Sequence, residues 1–154
     1  MSSLPVGFFD GASQDRCGGC GFGFWIYDSH FFSFWMGIGM GTNNFVELVV
    51  VWALLYWAQR LKIHECSNFG DSRVVIDWLS GAHSITTPHL LHWCNFVDEL
   101  LASFGVISFA HTYRCYNKKA DFLSNRCLSC PVGLLFYEEY VDEVLANEGN
   151  LRIF

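Results

Sequence analysis

The chain has 154 residues, 52% of them hydrophobic and 18% aromatic, with a formal net charge of −6. That length and apolar content suit one domain with a real core and exclude a disordered chain. No apolar run reaches the roughly 18–20 residues that span a bilayer, and the longest, residues 45–58, is interrupted by Glu47. The start, MSSLPVGFFDG, lacks the basic and apolar pattern of a secretion signal, so an intracellular protein is expected. Seven cysteines, an odd number, fit reduced thiols better than a disulfide framework.

The negative charge argues against a nucleic-acid partner until its distribution is read. Residues 138–154 hold five acids and one base, a balance of −4. Residues 1–137 hold ten acids and eight bases, a balance of −2. The sequence therefore divides into a body, residues 1–137, and an acidic C-terminal extension, residues 138–154. Two divalent cations bound by four acids of the body would invert its sign.

In chain order, residues 6–9 form a short apolar run closed by Asp10-Gly11, a strand followed by a turn. Residues 11–21, GASQDRCGGCG, read as a glycine-rich loop. Residues 21–27 and 30–36 are aromatic-rich strands joined by Asp28-Ser29 in a hairpin. Thr42-Asn43-Asn44 offers N-cap chemistry ahead of a buried helix over 45–61. A fourth strand covers 64–69 and closes at Gly70-Asp71-Ser72, where Asp71 or Ser72 can cap a short helix over 73–79. Residues 90–104 carry Leu90, Leu91, Trp93, Cys94, Val97, Leu100 and Leu101 at helical spacing. A fifth strand covers 106–109, a polar loop 111–116, and Asn117 caps a last helix over 118–127. The acidic stretch 137–147 reads as a short helix. This order implies an α/β domain: a five-stranded mixed sheet, three antiparallel strands then parallel crossovers, with helices on both faces.

Four acids fall at the ends of these elements: Asp10 after the first strand, Glu47 inside an apolar helix, Asp71 after the fourth strand, and Asp121 in the first turn of the last helix. Ligand sites of open α/β sheets form beyond strand ends. Each acid has a plainer reading: Asp10 as a turn residue, Asp71 as a helix cap, Asp121 as a match to the helix dipole. Glu47, set in FVELVVVWALL, has no evident solvent face. Converging carboxylates repel, and buried charges need partners. A hard divalent cation such as Mg²⁺ answers both needs. Two such ions about 3.5–4 Å apart support phosphodiester cleavage.

The blocks FFDGAS, GTNNFVEL, FGDS and HTYRCYNKKADFLS, in that order over roughly residues 5–130, resemble the type 1 ribonuclease H domain. The form is that of plant retroelement polyproteins and related plant proteins. The resemblance implies a ribonuclease H-like fold and a two-metal-ion endonuclease that hydrolyses the RNA strand of RNA–DNA hybrids, leaving a 5′-phosphate and a 3′-hydroxyl. It implies Asp10, Glu47, Asp71 and Asp121 as ligands of two Mg²⁺ ions, with Mn²⁺ able to substitute. It places His111 where the family keeps a histidine that assists proton transfer or product release. It marks Thr42, Asn43, Asn44, Ser72, Arg114 and Asn117 as contacts to the hybrid, whose groove shape and 2′-hydroxyls are read in place of base identity.

Two departures stand out. The first loop, GNPG-like in the family, is Asp15-Arg16-Cys17-Gly18 here. Residues 80–96, where some relatives carry a basic grip, contain His83, His89 and His92 but no Lys or Arg. Binding by the isolated domain should then be weak and salt-sensitive. These departures and the acidic extension keep open a non-catalytic domain that binds nucleic acid or protein; a DNA-cutting nuclease of the same fold is the third class. Two CxxC pairs, Cys17–Cys20 and Cys127–Cys130, are a zinc pattern, but they lie near opposite ends of the chain. Phe31, Phe32, Phe34 and Trp35 exceed what a small core needs, and an exposed patch there would dock a neighbouring polyprotein domain or a second copy.

Overall fold

The computed structural model describes residues 5–14, 17–82, 84–113, 117–126, 128 and 130–154. Strands β1 (Val6–Gln14), β2 (Cys17–Tyr27) and β3 (His30–Gly39) pair antiparallel, and Asp28-Ser29 forms the expected turn between the last two. Helix α1 (Asn43–Arg60) follows, then β4 (Glu65–Gly70), α2 (Arg73–Leu79), α3 (Pro88–Leu101), β5 (Val106–His111) and α4 (Lys118–Arg126). Strand β4 runs parallel to β1, and β5 parallel to β4. The mixed sheet with parallel crossovers is therefore present.

The sheet has seven strands where five were expected, in the order β5-β4-β1-β2-β3-β6-β7. The additional pair is β6 (Leu134–Val141) and β7 (Val144–Arg152), an antiparallel hairpin on the outer side of β3. The acidic helix expected over 137–147 is this hairpin, and position 137/138 lies inside β6. Its turn places Asp142 at φ +52° and Glu143 at φ +64°. Both central residues of a type I′ turn need the left-handed region, which costs a side-chain-bearing residue about 1–2 kcal/mol. Glu143→Gly is expected to raise stability by about 0.5–1 kcal/mol, measured by chemical denaturation, since glycine's own entropic cost offsets part of the relief.

The stretch 11–21 expected as a loop is mostly strand. Gly11 pairs with Cys20 and Asp10 with Gly21. Gly21 and Gly23 are among the positions where a neighbouring side chain lies directly on the backbone. A Cβ on Gly21 would meet Leu123 Cβ at 2.3 Å, and one on Gly23 would meet the Phe8 ring at 2.6 Å.

Helix α1 is apolar nearly all round because it is covered on both sides, by the sheet and by α3. Thr42 starts it as predicted, its Oγ1 accepting from Phe45 N–H at 3.2 Å. Helix α4 packs on the other face of the sheet, where Leu123 joins Trp35, Phe8 and Phe136. Helices thus cover both faces. No helix among the described residues is long and apolar enough to cross a membrane.

The expected aromatic docking patch is not exposed. Phe31, Phe34 and Trp35 are buried and Phe32 is half-buried. Phe34 stacks on Phe22 at 4.6 Å and lies 5.0 Å from Trp57 of α1. Trp35 is covered by Phe136 of the C-terminal hairpin and by the Arg126 guanidinium at 4.1 Å. The hairpin and α4 absorb the surplus that the sequence assigned to a partner.

Candidate metal centre

Parallel pairing sets the first two acids. Phe9 is in register with Gly70, so Asp10 and Asp71 each follow the last paired residue of adjacent strands. The third acid comes from α1, which rests against β1 at Gly11. A Cβ there would lie 2.7 Å from Val46 and 3.2 Å from the Glu47 nitrogen. That close approach lets the Gly11 N–H donate to Glu47 Oε1 at 2.9 Å. One carboxylate oxygen from each of Asp10, Glu47 and Asp71 lies within 4.8 Å of the others.

Asp10 is 2% exposed and Glu47 5% exposed. Burial first, then the Glu47 and Asp71 charges, then hydrogen bonds to those two groups, push the Asp10 carboxyl up to about 10 from an ordinary 3.8. Without a cation the cluster keeps a proton between its carboxylates. A hard divalent cation is the natural replacement for that proton, because oxygen-only donors of this kind are what Mg²⁺ and Mn²⁺ take. The residues present fit the ion.

Asp121 is not one of the three converging acids, but it lines the same cleft, of about 410 Å³, together with Glu47, Asp71, Asn43 and Ser72. Its helix is tied to the sheet at two strands, β1 and β2. The Asn117 side-chain amide donates to the Phe9 carbonyl at 2.9 Å, and Leu123 seats on Gly21. Asn125 donates to Asp121 Oδ1 at 3.2 Å and to its carbonyl at 2.8 Å. Gly21→Ala is expected to cost about 2–4 kcal/mol, because its methyl meets backbone of α4 and not only a movable side chain. The same variant should lower activity beyond its stability loss by shifting Asp121; thermal unfolding beside an activity assay separates the two effects.

The other expected site residues are placed less uniformly. Asn43 and Ser72 line the cleft, Thr42 caps α1 beside it, and Asn44 sits in the first turn of α1. Asn117 is 3% exposed and its amide serves the fold, which leaves it inside the protein and not on a ligand surface. Arg114 lies outside the described residues. His111 closes β5, paired with Gly70, instead of opening a loop. Its ring faces Arg73, whose Nη2 is 3.3 Å from His111 Nδ1. The Lys119 ammonium lies on the Phe31 ring at 4.1 Å. Among the described cysteines no zinc set forms. Cys20 is buried in the main core, while Cys130 packs in the cluster on the α4 face, and Cys127 lies outside the described residues.

Sequence reasoning missed the Gly11 N–H, Asn125 and Arg73. Only Asn125 had a local signal, since it lies one helical turn after Asp121.

Comparison with known proteins agrees with this geometry. A family model described as reverse transcriptase-like matches residues 8–127. A curated ribonuclease HI from Halobacterium salinarum is 32% identical over 124 residues, 79% of this chain; the chain spans 62% of that relative's length. The crystal structure of RNase H1 from the same archaeon superposes with a TM-score of 0.77 at 29% identity, covering 83% of this chain and 99% of that one. The N-terminal RNase H domain of a Mycobacterium tuberculosis protein, solved as a fusion with maltose-binding protein, gives 0.73 at 27% identity, covering 81% and 98%. LC11-RNase H1, solved in complex with an RNA/DNA hybrid, gives 0.72 at 19% identity, covering 81% and 96%, a likeness of fold alone.

Proposed function

This chain belongs to the reverse transcriptase-like family of ribonuclease H-like domains, and on that premise we propose that it is a metal-dependent endonuclease hydrolysing the RNA strand of RNA–DNA hybrids. The observation that carries the proposal is the meeting of Asp10, Glu47 and Asp71 within 4.8 Å, three acids from distant parts of the chain. The ribonuclease HI relative from Halobacterium salinarum supports the substrate class. The motif blocks FFDGAS, GTNNFVEL and FGDS favour a retroelement-type origin.

Asp10, Glu47 and Asp71, with Asp121 across the cleft, would hold two Mg²⁺ ions, with Mn²⁺ able to replace them. Such ions supply positive charge at the scissile phosphate and acidify water. The chain's own part is orientation. The Gly11 N–H fixes Glu47, Asn125 fixes Asp121, and the capped start of α1 presents Asn43 and Asn44 beside the acids. Amides at that place suit contact with sugar hydroxyls and the backbone of the hybrid's minor groove.

The test is cleavage of an end-labelled hybrid with Mg²⁺ or Mn²⁺, beside duplex DNA, duplex RNA and single strands. Metal-dependent cutting confined to the RNA of the hybrid, leaving 5′-phosphate ends, is expected. Binding without cutting would favour the second reading, a non-catalytic hybrid- or protein-binding module, which the lack of Lys and Arg in residues 80–96 supports.

A further inference from the structure

Resting on that reading, the geometry points to Arg73 as a positioning residue that makes His111 a fixed Nε2–H donor and not a proton shuttle. Two roles are chemically open to a histidine beside a phosphodiester. It can pass protons, or it can hold a phosphate oxygen through a standing N–H. Its partner decides which.

Arg73 is the first residue of α2 and lies two residues after Asp71, so one helix start serves both the acid cluster and His111. The backbone of His111 is fixed by β4: the residue pairs with Gly70, and the next N–H, of Thr112, donates to the Gly70 carbonyl at 2.8 Å. The ring is flanked by Tyr113, edge-on at 5.6 Å, and by the Arg73 guanidinium, 3.3 Å from Nδ1. A guanidinium has donors only and stays charged in proteins. Nδ1 must therefore be the acceptor, with its lone pair free of hydrogen. In the neutral ring the one hydrogen then sits on Nε2. An Nε2 that already carries hydrogen has no lone pair to take a proton, and the Nδ1 lone pair is occupied by the guanidinium. What remains is donation from Nε2–H to an acceptor such as a phosphate oxygen of substrate or product.

Two measurements test this. The first is the tautomer of His111 in metal-free protein, read from imidazole ¹⁵N shifts at a pH where the ring is neutral. Hydrogen on Nε2 alone is expected in the native chain, with both nitrogens moving toward a mixed-tautomer average in Arg73→Ala. Hydrogen on Nδ1 in the native chain, or shifts unmoved by Arg73→Ala, overturns the assignment. This readout does not depend on activity; if the native protein cuts no hybrid, the functional reading fails while the tautomer still decides the role of Arg73.

The second is kinetic. His111→Ala should lower kcat about 10²-fold, whereas His111→Gln, whose amide N–H can stand where Nε2–H stood, should stay within about 5-fold of native. A glutamine variant as inactive as the alanine variant identifies a proton shuttle and overturns the proposal. Arg73→Ala should lower kcat about 5-fold with KM little changed. A rise in KM at constant kcat would mean that Arg73 binds the substrate itself, which also overturns it.

Discussion

Replacing Asp10 by asparagine is expected to lower hybrid cleavage by about 10³-fold or more, while making the metal-free protein more stable instead of less. The two outcomes share one cause. Asp10 is buried between Glu47 and Asp71, which together with burial raise its carboxyl far above the ordinary range. Asparagine keeps the shape and removes one member of a repelling set, so the folded state gains about 1 kcal/mol or more near neutral pH. The ion that would draw three carboxylates together loses its central ligand. Asp10→Asn should therefore also lose most of the rise in melting temperature that millimolar Mg²⁺ or Mn²⁺ gives the native chain. Thermal unfolding with and without divalent ion, run beside the cleavage assay, reads all three effects. A variant that is inactive because it is unfolded would not support the role given to Asp10.

Stability of the metal-free chain is expected to fall as pH rises, the reverse of the behaviour of most salt-bridged acids. The folded protein keeps the Asp10 proton up to about pH 10, whereas the unfolded chain releases it near 3.8. Between those values the folded state binds more protons, so this group's contribution is complete below the lower value and is lost progressively toward the upper one. Between about pH 5 and about pH 8 the decline should be on the order of 4 kcal/mol, less whatever other groups contribute with opposite sign. A divalent ion competes with that proton, so its stabilising effect should grow over the same interval. Unfolding by denaturant at several pH values, with a chelator and then with Mg²⁺, checks both slopes. Asp10→Asn should flatten the first.

Much of the frame was readable from sequence because local chemistry and tertiary environment agree there. Thr42 has a capping oxygen and caps α1. The residues of α2 are those the sequence indicated. Glu47 stood out as an acid without a solvent face, and it is buried within reach of Asp10 and Asp71. The misreadings share a different origin. Glycines at 11 and 21 look like loop residues by composition, yet they sit in paired strands. Their role is to admit α1 and α4 to the sheet surface, a demand made by the rest of the fold. The C-terminal hairpin was hidden because its turn uses Asp142-Glu143 where asparagine and glycine are the usual signal, and because glutamates favour helix in isolation. Covering Trp35 and its neighbours overrode both. Arg73 could not be linked to His111 from sequence, since only the parallel pairing of β4 with β5 brings α2 to the end of β5.

The centre itself is tested most directly by a crystal structure of the native chain grown with Mn²⁺ and measured for anomalous scattering. The account predicts a strong peak held by Asp10 together with Glu47 or Asp71, and a second peak toward Asp121 when an RNA–DNA hybrid is bound to a slowly cutting variant such as His111→Ala. Manganese found only at other surface acids, with Asp10, Glu47 and Asp71 pointing apart, would contradict it.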